Sequence, residues 1–393
     1  KIHVGLEIGT TKTCMVVGEV KPDGSVKILG VGETRSAGIR KGEITDYPQA
    51  RAGVKAALLQ AEDICDVDIS SVLLSVTGLH IEGVNNRGTY RLPDEEEEVH
   101  HGHLAEATEI ARDLAIPGDH VYLHNFIRHY RLDGQEHAVS PVGLLGRSLE
   151  VDFHIVHGVR TRIQNSIKCV REIPLDVDDV VFAPIATAQV ALDREHKDIG
   201  GGTADYVLYL KGAIAASGCI PVGGDHITND IHLVTKIPLS RAEDLKKTEG
   251  DCSGDPARGI GNVSIKDDQG LVEGDIKRSL LNEIIYGRLE ETLRLIRDRL
   301  PEDALPGIGS GVFLTGGTSR MRGLTELANE VFGLSIYVAD QVNMSGVHAS
   351  FRDPQYSTAV GLIRYAQILD AEREAESVSF LGRALKLFWP FGS

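Results

Sequence analysis

The sequence predicts an α/β protein made of two similar halves that face each other across a cleft. Three observations support this prediction. Segments with the alternation of a strand and segments with the periodicity of a helix follow one another along the 393 residues. One motif, an acidic residue followed by a Gly/Thr turn and a strand, occurs twice, in "LEIGTTKTCMVVGEV" and "DIGGGTADYVLYLKG". A further glycine turn, in "LTGGTSRMRGL", joins a strand to a helix.

The elements follow one another in an order typical of α/β proteins. The chain opens with an alternating strand at residues 4–8 and a turn at residues 9–12, and a second strand follows. A helix pattern at residues 47–61 and the strand "SVLLSVTG" come next. Residues 79–155 look like a separate module, with an acidic run, a short helix pattern and the long strand "SLEVDFHIVHG". Helix and strand patterns then alternate again, and residues 240–300 are mostly helical and charged.

The repeated motif is the most informative feature. Its two copies lie roughly 190 residues apart, about the length of one domain. A duplicated domain with one such hairpin in each half would place the two turns on opposite sides of a cleft. Glycine turns let backbone N–H groups approach phosphate oxygens closely, and threonine hydroxyls add donors. One turn alone is equally consistent with a tight hairpin, but two turns led by Glu7 and Asp198 predict a phosphate site.

The candidate phosphate ligands are the residues of the two turns. They are Gly9, Thr10, Thr11, Lys12, Gly200, Gly201, Gly202 and Thr203. Glu7 and Asp198 lie where Mg²⁺ and its water molecules would bridge the phosphates, because Mg²⁺ favours few carboxylates and retains water. Both acids are therefore candidate metal ligands through water.

Two more glycine turns extend the predicted site. Gly316 and Gly317 stand between a strand and the N-terminus of a helix, where the helix dipole favours an adenosine or its α-phosphate. Gly223, Gly224 and Asp225 form another strand-to-helix turn, in "PVGGDHITNDI". We therefore expect ATP with Mg²⁺ as the ligand of the cleft.

The composition limits the classes of function. The formal net charge of −16 argues against nonspecific nucleic-acid binding, because a polyanion would be repelled. The five cysteines are scattered without a CxxC pair, which favours reduced thiols over disulfides or a zinc site. No apolar run has the length of a membrane span, and the first residues read as a strand and not as a signal peptide. We expect a soluble, cytoplasmic protein unless another device brings it to a membrane.

The combination of motifs resembles a known family. Two phosphate hairpins plus an adenosine turn are typical of the superfamily of actin, sugar kinases and DnaK-type chaperones. Within it, "VGGDHITNDI", "DGQEHAVSPVGLLGRSLEVDFHIV" and "DPQYSTAVGLIRYA" resemble the FtsA family of bacterial actin-like division proteins, over nearly the whole chain. The resemblance implies an actin-like ATPase fold with one outer subdomain replaced by a different module. It also implies filaments on the inner face of the cell membrane, binding of the FtsZ C-terminal peptide, and recruitment of downstream division proteins.

The resemblance divides the chain into nine segments. They are the first half at 1–78 and 156–190, the inserted outer subdomain at 79–155, the second half at 191–238 and 307–335, its small helical outer subdomain at 239–306, a return to the first half at 336–370, a linker at 371–379, and an amphipathic membrane-targeting helix at 380–393.

Three departures from the family pattern bear on the chemistry. Relatives carry a short apolar strand before the second acid, whereas this chain passes from "DREHK" directly to Asp198, so we interpret several apolar residues as absent from this sequence and not from the natural protein. Glu7 stands where most of the superfamily has Asp, which lengthens the reach to magnesium. Ala183 occupies the place of a Glu or Gln that positions the attacking water in relatives. With Glu7 and Asp198 as the catalytic acids, we expect ATP binding with at most weak ATPase activity.

The last residues have the pattern of a basic amphipathic helix. At about 100° per residue, one side of this helix is apolar. That side consists of Phe380, Leu381, Ala384, Leu385, Leu387 and Phe388. Arg383 and Lys386 lie on the other side, and Trp389 lies near the boundary, where an indole suits the lipid headgroup region. The pattern fits a helix docked on the core, but together with the resemblance it predicts binding to anionic inner-membrane lipids.

Other functions within the superfamily remain as alternatives. A type IV pilus assembly protein of the PilM kind would share the ATP cleft and the replaced subdomain, but should lack the terminal Phe/Trp helix. A sugar kinase needs an acidic base in a sugar pocket, for which the sequence shows no motif. A DnaK-type chaperone needs a downstream substrate-binding domain. The leading prediction is an actin-like division scaffold, peripheral on the inner face of the cell membrane.

Overall fold

The structure is a computed structural model of the chain. It describes residues 1–21, 25–137, 139–191, 203–266, 272–302, 304–309, 311–339, 344–346 and 353–388. The helices are α1 (Tyr47–Cys65), α2 (His101–Arg112), α3 (Arg160–Arg171), α4 (Ala183–Ala191), α5 (Gly224–Thr235), α6 (Leu239–Glu249), α7 (Arg278–Arg297), α8 (Leu324–Phe332) and α9 (Ser357–Phe388).

The strands of the described residues range from two to 13 residues in length. They are β1 (Ile2–Ile8), β2 (Lys12–Val20), β3 (Val26–Arg35), β4 (Ile39–Arg40), β5 (Glu43–Ile44), β6 (Ser71–Val76), β7 (Ile81–Arg91), β8 (His120–Leu132), β9 (Gln135–His137), β10 (Ser148–Val159), β11 (Asp176–Phe182), β12 (Ala204–Leu210), β13 (Ala213–Ile220), β14 (Asn262–Lys266), β15 (Val272–Lys277), β16 (Val312–Leu314), β17 (Ile336–Val338) and β18 (Met344–Gly346).

The first half is organised around a six-stranded mixed sheet in the order β11-β6-β1-β2-β3-β18. β1 pairs with β2 as an antiparallel hairpin and with β6 in parallel. Leu6, Met15 and Leu74 of this sheet are fully buried. Helices α1 and α3 contribute to the same core, which is the burial pattern expected of a sheet covered by helices.

The inserted module is a four-stranded antiparallel sheet in the order β7-β10-β8-β9, with α2 on one face. Alternate residues of β10, such as Val151 and Phe153, are buried against Ala107 of α2. The module also contacts the second half, since the Asn85 side-chain amide donates to the carbonyl of Ala215 at 2.9 Å. The module therefore has a core of its own and joins both halves.

The second half contains the β12–β13 hairpin, the parallel pair β16–β17 and helices α5 to α8. Strand β12 is the predicted strand of the second copy of the repeated motif. The turn of that copy, with Asp198, Gly200, Gly201 and Gly202, lies outside the described residues, as does the junction after "DREHK". The region predicted as mostly helical also contains the β14–β15 hairpin.

Helix α9 returns the chain to the first half. It packs on α4, where a Cβ atom on Gly361 would lie 2.0 Å from the carbonyl oxygen of Ala186, so this close approach requires glycine. The helix then continues as far as Phe388, and the backbone of residues 371–379, predicted as a linker, is helical. In the part of the chain that the structure describes, no helix combines the length and the apolar character needed to cross a membrane.

Candidate functional site

A cleft of about 550 Å³ lies between the two halves and brings together turns that are far apart in the sequence. The predicted site residues that line it are Glu7, Gly9, Thr10, Thr11, Lys12, Gly224, Asp225, Gly316 and Gly317. Gly223 precedes α5, and Thr203 is buried, but neither lines the cleft. Asp198 and residues 200–202 belong to the undescribed part of the chain.

The first turn is held in one conformation by hydrogen bonds. The backbone N–H of Gly9 donates to the carbonyl of Lys12 at 3.0 Å, which closes the β1–β2 hairpin. The Ser36 hydroxyl donates to the carbonyl of Gly9 at 2.6 Å. The Thr10 hydroxyl accepts from the backbone N–H of Gly42 at 3.1 Å. A turn fixed in this way presents the Thr10 and Thr11 side chains to the cleft without further ordering.

Glu7 lies at the wall of the cleft as a buried carboxyl group. Burial raises the pKa of Glu7 to about 7, and the positive charge of Lys12 opposes this rise. Its Oε2 atom is buried without a hydrogen-bond partner among the described residues. A cation or its hydration shell would supply the missing partner and favour the ionised form.

A second buried carboxylate, Asp205, lies close enough to raise the pKa of Glu7. The Thr77 hydroxyl donates to Oδ2 of Asp205 at 2.7 Å, while Oδ1 is buried without a partner among the residues described. Burial raises the pKa of Asp205 as well. Sequence reasoning missed this residue, although it follows the second glycine turn closely in "GGGTAD".

The two carboxylates fit a hydrated magnesium ion better than a dehydrated metal. Within the described ranges, no three His, Cys, Asp or Glu side chains are grouped to chelate a metal directly. Mg²⁺ dehydrates reluctantly and is usually held by one or two carboxylates, water and substrate phosphates. Unpaired oxygens on Glu7 and Asp205 suit that mode of binding.

Lys12 is the cation of the first turn. Its Nζ atom lies 3.6 Å from the centroid of the Tyr356 ring and 3.6 Å from Oε2 of Glu33. Nζ is buried and has no hydrogen-bond partner in the described chain. Glu33 and Tyr356 are far from Lys12 in the sequence, so only the tertiary structure reveals this contact.

The opposite wall is formed by α5 and α6. Lys246 donates to the carbonyl of Gly224 at 3.0 Å and to the Thr228 hydroxyl at 2.8 Å, and it pairs with Glu243 at 2.6 Å. Burial raises the pKa of Asp225, against the opposing charge of Lys246. Sequence reasoning also missed Glu243, Lys246 and Lys247, whose spacing in "RAEDLKKTEG" places them on one side of α6.

The third turn closes the cleft beside the start of α9. Gly316 has a φ of 80°, which favours glycine, and its N–H donates to the carbonyl of Pro354 at 3.1 Å. A Cβ atom on Gly317 would meet no atom within 4 Å, so this position opens on the cleft. The Thr315 hydroxyl donates to that of Ser357 at 2.6 Å. The turn is therefore anchored to the first residue of α9.

Comparison with protein families gives two matches. A family described as "Cell division protein FtsA" matches residues 198–361, and one described as "SHS2 domain inserted in FTSA" matches residues 78–157. The chain is 32% identical to the cell division protein FtsA of Pseudomonas aeruginosa over 391 residues, which cover 96% of this chain and 92% of that protein. It is 33% identical to FtsA of Escherichia coli K12, with 96% and 93% covered.

Solved structures show the same fold at low identity. A PilM–PilN type IV pilus biogenesis complex matches with a TM-score of 0.60 and 16% identity, covering 92% of this chain and 97% of that one. MreB5 of Spiroplasma citri bound to ADP matches with a TM-score of 0.56 and 14% identity, covering 95% and 98%. The predicted α/β, actin-like ATPase fold is confirmed.

Proposed function

The chain belongs to the FtsA family of cell division proteins, and we propose that it is an ATP-binding scaffold that polymerises on the inner face of the cytoplasmic membrane. There it would tether FtsZ filaments, which form the Z ring, through the FtsZ C-terminal peptide and recruit later division proteins. The observation that supports this proposal best is the convergence of three glycine turns and the buried carboxyl group of Glu7 on one cleft, with Asp205 close enough to raise the pKa of Glu7.

The cleft residues fall into three roles in this proposal. Thr10, Thr11 and Lys12 bind phosphate oxygens, and Gly316 with Gly317 leaves room for the adenosine and its α-phosphate. Gly200, Gly201 and Gly202 would provide the second phosphate turn. Glu7 and Asp205, with Asp198, would hold Mg²⁺ through water. Bound Mg²⁺ neutralises negative charge on the phosphates.

Weak hydrolysis is part of the proposal, because Ala183 ends in a methyl group that cannot orient a water molecule. Ala183 is buried and begins α4 directly after β11. We expect phosphate release far slower than the roughly 1–100 s⁻¹ of kinases. Steady-state phosphate release checks this, with Asp198→Ala as the control for contaminating ATPases. A rate in the kinase range that Asp198→Ala removes would show that the protein is an enzyme and not a switch.

Attachment to the membrane would come from residues 380–393. Helix α9 extends from the cleft, where Ser357 and Thr358 line the wall, to Phe388. Trp389 and the residues after it lie beyond the described chain. The supporting observation is the sequence pattern, which places large apolar residues on one side of this helix and Arg383 and Lys386 on the other.

Filament formation is the test of the assembly proposal. A head-to-tail contact between copies is heterologous and does not close, so it produces filaments. The inserted module of one copy would contact the small outer subdomain of the next. Electron microscopy on anionic lipid monolayers with ATP and Mg²⁺ should show filaments. Isolated particles alone, over a wide range of protein concentration, would contradict the assembly proposal.

The pilus-assembly alternative has less support. The likeness to the PilM–PilN complex is one of fold, at 16% identity, whereas the likeness to FtsA covers almost the whole chain at about twice that identity. We therefore propose the division scaffold alone.

A further inference from the structure

Lys12, Glu33 and Tyr356 form a cluster at the point where the phosphate turn contacts the segment before α9, with the Lys12 ammonium buried, Tyr356 half-buried and Glu33 exposed. The ammonium of Lys12 lies over the Tyr356 ring at 3.6 Å from the centroid, which is a cation–π contact. The Glu33 carboxylate lies 3.6 Å from the same ammonium and also accepts a hydrogen bond from the Tyr356 hydroxyl. Each member of the cluster therefore contacts the other two.

The Lys12 ammonium cannot bind a nucleotide from this position. Its side chain is only 13% exposed and Nζ itself is buried, although Lys12 is among the residues that line the cleft. Because Nζ is buried, a phosphate oxygen can reach it only if the ammonium moves. Nζ also makes no hydrogen bond with the described residues, so its donors gain partners when it moves to a phosphate.

Tyr356 lies directly before α9, so a movement of Lys12 away from its ring affects the start of this helix. Tyr356 ends the short 3₁₀ turn Pro354–Tyr356, and α9 begins at the next residue, Ser357. The same segment is bonded to the third glycine turn, through the carbonyl of Pro354 and the N–H of Gly316. A change at Tyr356 therefore acts directly on the first turn of α9, which is also held by the Thr315–Ser357 and Thr187–Thr358 hydrogen bonds.

We propose that Lys12, Glu33 and Tyr356 form a nucleotide-sensing latch on α9. In the conformation of the structure, Lys12 holds Tyr356 and with it the start of α9. A bound nucleotide phosphate draws the Lys12 ammonium into the cleft, which releases the Tyr356 ring and loosens that turn. This inference rests on the proposed function, since it requires ATP in the cleft, and it assigns Tyr356 and Glu33 as the residues that hold the Lys12 ammonium away from a bound phosphate.

The latch opposes ATP binding, so removing it should tighten binding. Tyr356→Leu removes the ring face, and the Kd for ATP with Mg²⁺ should fall about 5- to 30-fold, the factor that corresponds to a desolvated cation–π contact of about 1–2 kcal/mol. Glu33→Gln removes the ion pair and leaves the ring, and should tighten binding by a smaller factor. Tyr337→Leu, a half-exposed position on β17, is the matched control and should leave the Kd unchanged.

A double-mutant cycle separates the latch from a general packing effect. In the Lys12→Met chain no ammonium can be held, so Tyr356→Leu should alter the Kd less than about twofold there. Isothermal titration calorimetry measures the Kd for ATP with Mg²⁺ of the intact chain, of Tyr356→Leu, of Lys12→Met and of the double variant. In the intact protein, hydrogen exchange at the first turn of α9 should speed up when ATP binds, a result that needs no variant.

The outcomes distinguish the latch from the function on which it rests. If the intact chain binds ATP while Tyr356→Leu binds it equally or more weakly, the ring positions Lys12 for binding and the latch is wrong. An equal gain from Tyr356→Leu with and without Lys12 would also overturn the latch. If the intact chain shows no affinity for ATP, both the proposed function and the latch fail.

Discussion

Saturating ATP with Mg²⁺ should raise the melting temperature of the intact protein by roughly 5–10 °C, and Gly317→Arg should abolish the rise. A ligand that binds only the folded state stabilises it by about 2.7 kcal/mol at one hundred times its Kd. For large domains each kcal/mol corresponds to roughly 2–4 °C. Gly317 opens on the cleft, and a Cβ atom at this position would have no atom within 4 Å. An arginine there therefore extends into the cleft, where we propose that the adenosine binds, and does not clash with the fold.

A matched substitution controls for the general effect of a new arginine. Gly287 on α7 is exposed, and a Cβ atom there also meets no atom within 4 Å, but Gly287 lies outside the cleft. Gly287→Arg should therefore keep the full ATP-dependent shift. If ATP leaves the melting temperature unchanged while another nucleotide raises it, the adenine assignment is wrong. If Gly317→Arg keeps the shift, the nucleotide binds elsewhere.

Removing residues 379–393 should release the protein from anionic liposomes. Burial of a large apolar side chain such as Phe380 or Phe388 contributes about 1.5–3 kcal/mol before ordering costs. Arg383 and Lys386 add roughly 1 kcal/mol each near an anionic surface. One such segment is a marginal anchor, but copies repeated along a filament bind with avidity. Co-sedimentation with liposomes measures the loss.

Point variants separate the apolar and the charged parts of this anchor. Trp389→Glu should weaken liposome binding strongly, because it places a carboxylate in the headgroup region beside anionic lipid. Arg383→Lys keeps the charge and should bind like the intact chain. Added salt should weaken binding only partly, since the apolar contribution remains. A truncated chain that sediments as well as the intact one would show that residues 379–393 are not the anchor.

The local motifs allowed the first turn and both strand-to-helix turns to be predicted from sequence. A glycine turn between a strand and a helix is a local pattern, and Gly9, Gly224 and Gly316 all lie at the cleft as expected. Asp205 was missed for a different reason. Its side chain belongs to a strand, and its role depends on Thr77, which lies 128 residues away in the sequence. Such pairings depend on tertiary packing and leave no local signal.

The contacts of Lys12 could not be predicted from the sequence, whereas the length of α9 could. Lys12 and Tyr356 are in contact although they lie far apart in the sequence, and no periodic pattern of residues predicts such a contact. The continuation of α9 through residues 371–379, by contrast, was within reach of sequence reasoning. The stretch "DAEREAES" is rich in Ala, Glu and Arg, which are strong helix formers, although its charge favours a linker.

Recruitment of FtsZ to liposomes tests whether the protein tethers FtsZ to the membrane. FtsZ from the same organism, anionic liposomes, ATP and Mg²⁺ are mixed with the intact chain or with the chain lacking residues 379–393, and the liposomes are floated. If the protein is the tether, FtsZ floats with the liposomes only when the intact chain is present. If the intact chain floats without FtsZ, or FtsZ floats equally well with the truncated chain, the protein does not tether FtsZ to the membrane in the proposed way.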